Sequence, residues 1–157
     1  MGFKLIEIST IKKAKENLKN VVIESPLQKS HRYSELLKSS IHLKREDLQK
    51  VRSFKIRGAY NKISSLSERE KLDGVVCSSA GNHAQGVAQS CNKLKINGVI
   101  YMPTITPKQK VAQVKMFGGK FIEVRLYGDT YDDAYEAAIE YCDNSQKTFI
   151  HPFDDLS

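Results

Sequence analysis

The sequence predicts an α/β protein: an open parallel sheet with crossover helices, preceded by the incomplete N-terminal part of a larger α/β domain. Two observations carry this. Four short apolar segments, Val75–Cys77, Gly98–Pro103, Phe121–Leu126 and Thr148–Ile150, alternate with three segments of helical period. That alternation is the pattern of parallel strands joined by helices. Residues 1–73, in contrast, offer three or four helices and only one or two strands, too few for a sheet of their own. The predicted organisation is residues 1–74 as part of a large domain, 75–150 as a complete small α/β domain, and 151–157 as a lead-in back to the large one.

Taken in order, Ile11, Ala14, Leu18 and Val21 recur at helical spacing behind Ser9-Thr10, so a helix is predicted over 11–22 with Thr10 as its cap. Ser25-Pro26-Leu27-Gln28 is a proline-led connector or edge strand. A second helix, 31–39, is predicted to bury Tyr33, Leu36 and Leu37, and Ile41–Glu46 alternates as a strand does. Asp47–Arg52 is a polar loop feeding a helix that starts behind Ser53, read as its N-cap, with Ile56, Tyr60 and Ile63 buried. Ser67-Glu68-Arg69-Glu70 matches the capping box of a short helix ending at Gly74. Beyond the strand at 75–77, a turn over Ser78–Asn82 leads into a helix over 83–95 that buries Ala84, Val87, Ala88, Cys91 and Leu94. The helix Lys108–Phe117 stops at Gly118-Gly119, and the last helix opens with Thr130-x-x-Asp133.

Composition narrows the class. With 40% hydrophobic and 27% charged residues the chain reads as an ordinary soluble globular protein, and no apolar run approaches bilayer length. Met1–Ile6 lacks the apolar core of an export signal, and Ile6 breaks a myristoylation pattern. Three cysteines without C-x-x-C spacing point to a reducing, cytoplasmic compartment, and the four histidines show no metal-ligand spacing. The net charge of +7 is spread along helix faces such as Lys12, Lys13, Lys15 and Lys19. Without an arginine-rich run or interleaved aromatics, nucleic acid is not the expected partner, and neither is a membrane.

Two stretches carry chemistry. Lys55 falls in the first turn of its helix, where the positive end of the dipole opposes its charge. That field, with partial burial, would lower its pKa and free its amine to act as nucleophile or base; the alternative is a solvated surface lysine. The second stretch, Ser78–His83, joins the C-terminal end of a strand to a helix N-terminus, where open α/β sheets bind ligands and exposed N–H groups favour an anion. Ser79, Asn82 and His83 add side-chain donors, while Ala80 and Gly81 let a ligand approach the backbone. The alternative is that these residues only cap and turn.

Together the two stretches, Ser53–Ala59 and Ser79–Ala88, closely resemble the threonine dehydratases of the tryptophan-synthase β-like (fold type II) pyridoxal-phosphate enzymes. Further matches are Ser25-Pro26-Leu27, Leu43–Gln49, Met102-Pro103 and Thr106-Pro107-Lys108, so the resemblance covers essentially the whole chain. It implies that Lys55 covalently carries pyridoxal 5'-phosphate, that Phe54 lies beside the cofactor ring, and that Asn82 hydrogen-bonds its 3'-hydroxyl. It implies further that Ser79, Ala80, Gly81, Asn82 and His83 grip the carboxylate of an amino-acid substrate. The implied reaction is dehydration and deamination of L-threonine or L-serine to a 2-oxo acid and ammonia, in an enzyme that is a homo-oligomer at full length. Ala80, where related racemases carry serine, argues for dehydration; His83 and Arg57 argue against an O-acetylserine sulfhydrylase.

Members of that family run to about twice this length or more. They follow the strand equivalent to Thr148–Ile150 with a Gly-rich phosphate loop, whereas the last glycine here is Gly128. The expectation is weak cofactor binding by this chain alone. The competing expectation is a non-catalytic module that associates with itself or a partner through uncovered apolar faces of residues 1–73.

Overall fold

A computed structural model describes residues 6–153. The expectations for Met1–Leu5 and for the end of the 151–157 lead-in lie outside the described residues. The chain is α/β. Strands β3 (Val75–Ser78), β4 (Gly98–Met102), β5 (Ile122–Leu126) and β6 (Thr148–Phe149) form one parallel sheet in the order β5-β4-β3-β6. Helix α5 (Asn82–Leu94) follows β3, α6 (Lys108–Gly118) follows β4, and α7 (Tyr131–Ser145) follows β5. The strand pattern predicted from sequence is present.

Strand alternation divides the core into two layers. Val75, Cys77, Ile100 and Met102 face a cluster completed by Ala84, Val87 and Ala88 of α5, Val114 of α6 and Ile150. Helix α3 (Lys55–Ser65) joins the same layer through Ala59 and Ile63, at no more than 3% exposure. Val76, Val99 and Tyr101 face the other way, onto Ala134 and Ala138 of α7. Both predicted capping boxes form: Ser67 with Glu70 at α4 (Glu68–Asp73), and Thr130 with Asp133 at α7. Between α4 and β3, Gly74 has φ +88°, and a Cβ there would lie 2.5 Å from Asn97 O. Only glycine suits that turn. The three cysteines are free; burial pushes the Cys91 thiol up to about 12 and the Cys77 thiol up as well, so both act as small hydrophobes.

The first third of the chain departs from its predicted boundaries. Helix α1 spans Ile8–Asn17 with Glu7, not Thr10, at its N-cap, because Glu7 O already accepts from Thr10 and Ile11 N–H. It stops before Val21 because the chain soon turns through Asn20 at φ 62°. Helix α2 covers only His31–Leu36, and Tyr33, Leu36 and Leu37 are exposed rather than buried, since this short helix has no buried residue. Strands β1 (Leu27–Lys29) and β2 (His42–Lys44) pair antiparallel as a separate two-stranded sheet. Ser53 does not cap α3: Phe54 is the N-cap, without a side-chain bond, and Ser53 Oγ is buried without a partner. Lys55 is thereby the first residue of the helix.

Candidate active site

Strand order places the site. From β3 the chain moves outward through β4 to β5, then returns to lay β6 on the other side of β3. The order reverses at the C-terminal ends of β3 and β6, and crevices at such reversals are where open α/β sheets bind ligands. Loop 79–81 leaves β3 there, and residues 150–153 leave β6 beside it. Lys55 of α3 closes the crevice. A cavity of about 220 Å³ results, lined by Phe54, Lys55, Gly58, His83, Pro152 and Phe153 among others.

Lys55 Nζ donates to Pro152 O at 2.6 Å and lies 5.5 Å from the centre of the Phe54 ring and 5.2 Å from that of Phe153. Its backbone is seated on α5. A Cβ added at Gly86 would come within 3.0 Å of Lys55 C and O and 3.2 Å of Ile56 N. Glycine at 86 therefore sets how closely the lysine's helix approaches the helix that follows the loop.

The loop is held from both sides. Ser79 N–H donates to Tyr101 O at 3.0 Å, and Ser79 Oγ accepts from Gly81 N–H at 3.2 Å. Ser79 is buried, Ala80 and Gly81 are half-buried, and Asn82, the first residue of α5, is exposed. The cap residue Gly81 supplies no side-chain acceptor, so the first N–H groups of α5 lack side-chain capping and present the positive end of the helix. His83 is different from its neighbours. Its ring is buried, with Nε2 3.0 Å from Ile150 O. A carbonyl only accepts, so Nε2 carries the proton. Burial, with the nearby Lys55 charge adding to it, pushes the imidazole down to about 4 from 6.5, so it is neutral at physiological pH.

Of the site residues expected from sequence, Lys55, Phe54 and His83 line the crevice, whereas Ser79, Ala80, Gly81 and Asn82 are not among its lining residues and reach it only through the chain that leads into His83. The structure commits the Nε2–H of His83, read from sequence as a donor to ligand, to Ile150 O. Residues 150–153, Gly58 and Gly86 were missed as part of the site. The signal for the first was positional, since His151-Pro152-Phe153 directly follow the strand that reverses the sheet order. Glycines 58 and 86 carry no such local signal.

The crevice, the lysine at its wall and the uncapped N-terminus of α5 define a ligand-binding α/β protein, and comparisons with known proteins show its family. The family model described as pyridoxal-phosphate dependent enzyme matches residues 18–157, and the chain belongs to that family. Among its relatives are the biosynthetic L-threonine dehydratases IlvA of Bacillus subtilis, 58% identical over 151 residues, and of Halalkalibacterium halodurans, 56% identical over 149 residues. These alignments take in 96% and 95% of this chain but only 36% of each relative. The chain spans about a third of the length of the curated relatives it matches. Among solved structures, threonine deaminase isoform 2 of Solanum lycopersicum aligns with a TM-score of 0.84 at 41% identity, over 96% of this chain and 42% of that one. Maize serine racemase aligns at 0.88 and 28%, over 97% and 45%. Among the described residues no cluster could hold a metal ion and no helix is long and apolar enough to cross a membrane.

Proposed function

We propose that this chain supplies the cofactor-bearing lysine and the substrate-carboxylate loop of a pyridoxal-phosphate-dependent dehydration and deamination of L-threonine or L-serine. We read residues 1–74 as part of a larger cofactor domain and 75–150 as the small domain. The observation that carries the reading is Lys55 Nζ at the wall of the crevice where the sheet order reverses, opposite the exposed N-terminus of α5. The relatives' printed activity supports it.

The residues present fit the cofactor. Lys55 offers an amine among the Phe54 and Phe153 rings, which suit a planar heteroaromatic ring, and exposed Asn82 offers an amide to its hydroxyl. When bound, pyridoxal phosphate supplies an electron sink for the carbanion left at the substrate's α-carbon. The loop Ser79–His83 holds the substrate carboxylate through Ser79, Asn82 and the first N–H groups of α5. Lys55 would hold the cofactor and, once its amine is freed, would be the group placed to take the proton from the α-carbon. His83 does not exchange protons; neutral and buried, it ties the loop to Ile150.

The test is to mix the chain with pyridoxal phosphate, reduce with borohydride and map the labelled lysines by mass spectrometry. Lys55 should be labelled well above the other lysines, with only a weak visible band before reduction. Labelling spread evenly over the lysines sinks the assignment. A strong band lost in Lys55→Ala, with 2-oxobutanoate formed from threonine, would instead show that this chain needs no other segment.

A second reading rests on a separate observation. Leu27, Leu36 and Leu37 are 65%, 71% and 58% exposed, apolar side chains that association would cover. On this reading the chain associates with itself through that surface. A clean monomer by analytical ultracentrifugation counts against it.

A further inference from the structure

Helix α3 begins without the device that normally fixes a helix start. No side chain caps it, Ser53 Oγ has no partner, and the chain enters through Arg52 at φ 59°. Yet the orientation of its first turn decides where the Lys55 amine points. Gly86 fixes how near α3 lies to α5, and buried Ile56, Ala59 and Ile63 hold its inner face, but neither contact grips the uncapped first turn from its outer side.

Arg57 supplies that outer restraint. It lies two residues after Lys55, roughly 200° around the helix, so it grips the side nearly opposite the lysine. Its guanidinium makes a two-pronged contact with Glu46: Nε donates to Oε2 at 2.8 Å and Nη2 to Oε1 at 2.7 Å. Two parallel bonds from a planar fork fix an angle as well as a distance. Glu46 is anchored in turn. Ser25 Oγ donates to Glu46 Oε1, and Gln49, buried, donates to Ile23 O at 2.9 Å while accepting from Ile23 N–H at 3.1 Å. The Glu46 side chain is only 16% exposed, so the pair is shielded from the screening that weakens surface ion pairs. Segments 23–25 and 46–49 thus form a fixed bracket behind α3.

We propose that Glu46 and Arg57 are positioning residues that set the rotation of α3 and thereby aim Lys55 into the crevice. Neither lines the crevice. This rests on the reading of Lys55 as the cofactor-bearing lysine, and the pair stands on the opposite side of the helix from the chemistry.

The experiment uses the full chain as wild type, Arg57→Lys and Glu46→Gln. Arg57→Lys keeps the charge and loses the fork; Glu46→Gln keeps the shape and loses the charge. Two readouts are taken on each: borohydride-trapped pyridoxal-phosphate labelling at Lys55 relative to the other lysines, and amide hydrogen exchange of α3's first turn relative to α5. The expected result is selective labelling of Lys55 in wild type, a drop of about tenfold in that selectivity in both variants, and faster exchange confined to the start of α3. General unfolding would raise labelling everywhere and speed exchange in α5 too, so a merely structural loss is told apart. Selective labelling in wild type that is unchanged in both variants overturns the positioning role and leaves the reading of Lys55 standing. Unselective labelling in wild type removes the reading of Lys55; exchange at α3's first turn then decides the pair, and unchanged protection in both variants overturns it.

Discussion

Gly58 and Gly86 both lie in helix interiors, and the structure gives opposite signs for replacing them with alanine. In each case alanine removes backbone freedom from the unfolded chain, which is worth about 0.5–1 kcal/mol of stabilisation in a helix interior. At Gly58 nothing lies within 4 Å of the added methyl, so that gain should appear whole. At Gly86 the methyl would lie 3.0 Å from Lys55 C and O and 3.2 Å from Ile56 N. Those atoms are backbone within a helix and cannot rotate aside, so α3 and α5 must separate by a few tenths of an ångström. Overpacking of this kind costs about 1–3 kcal/mol. The intrinsic helix term is common to both substitutions and cancels in their difference. Gly86→Ala should therefore be about 1–3 kcal/mol less stable than Gly58→Ala, a separation of several degrees in Tm for a chain of this size. Urea unfolding of the two variants, with equal slopes, measures it. If Gly86→Ala matches or exceeds Gly58→Ala, α3 is not seated on α5 through that glycine, and the account of how Lys55 is placed fails.

Four further outcomes follow from other contacts in the structure. Hydrogen bonds from Arg57 hold the Glu46 carboxyl at about 2 against 4.5, so its stabilisation is present above pH 4.5 and lost as pH falls toward 2; Glu46→Gln should flatten the stability–pH curve in that window. Burial holds His83 at about 4 against 6.5, so the unfolded chain binds this proton first and stability falls from pH 6.5 toward 4, by at most ~1.4 kcal/mol per pH unit; His83→Gln should remove that slope, and an unchanged slope would place the titration elsewhere. Thr130→Ala breaks the capping box of α7 and should cost about 1 kcal/mol in urea unfolding, with a loss below ~0.3 kcal/mol contradicting the cap's role. Lys55→Ala leaves buried Pro152 O without its donor and should cost about 1–2 kcal/mol, where an ordinary surface lysine would be neutral within ~0.5 kcal/mol.

What could be read from sequence was what local chemistry decides. The boxes at Ser67–Glu70 and Thr130–Asp133 formed because each needs only three residues of helix to bring its groups together. The parallel strands were legible because β3 and β4 are buried along their whole length and contain continuous apolar runs. Three readings failed where a distant contact decides. Ser53 has the right chemistry for a cap, but its hydroxyl is buried away from the helix N–H groups it was expected to serve. Tyr33, Leu36 and Leu37 have a burying period, but among the described residues nothing covers them. His83 sits at a helix start like a donor for ligand, yet the return of β6 beside β3 puts Ile150 O within reach of its ring.

That last contact shows how the sheet order and the site depend on one another. Ile150 and Pro152 belong to one short segment, and their carbonyl oxygens accept from residues on two different helices, His83 of α5 and Lys55 of α3. The segment is in reach of both only because β6 pairs with β3 rather than extending the sheet beyond β5. Had β6 added at the β5 edge, β5 and β4 would stand between it and the Ser79–His83 loop, and Lys55 would face the open C-terminal end of β3. The reversal of strand order is therefore what brings a loop with exposed N–H groups, an amine and an apolar wall into one place. It also ties the geometry of the lysine to the stability of the last strand. A substitution that loosens β6, such as Phe149→Ala at its packing against Tyr135, should disturb Lys55 although it touches neither the lysine nor the loop. Its mark would be a loss of selective labelling at Lys55 while the exchange protection of α5 is retained.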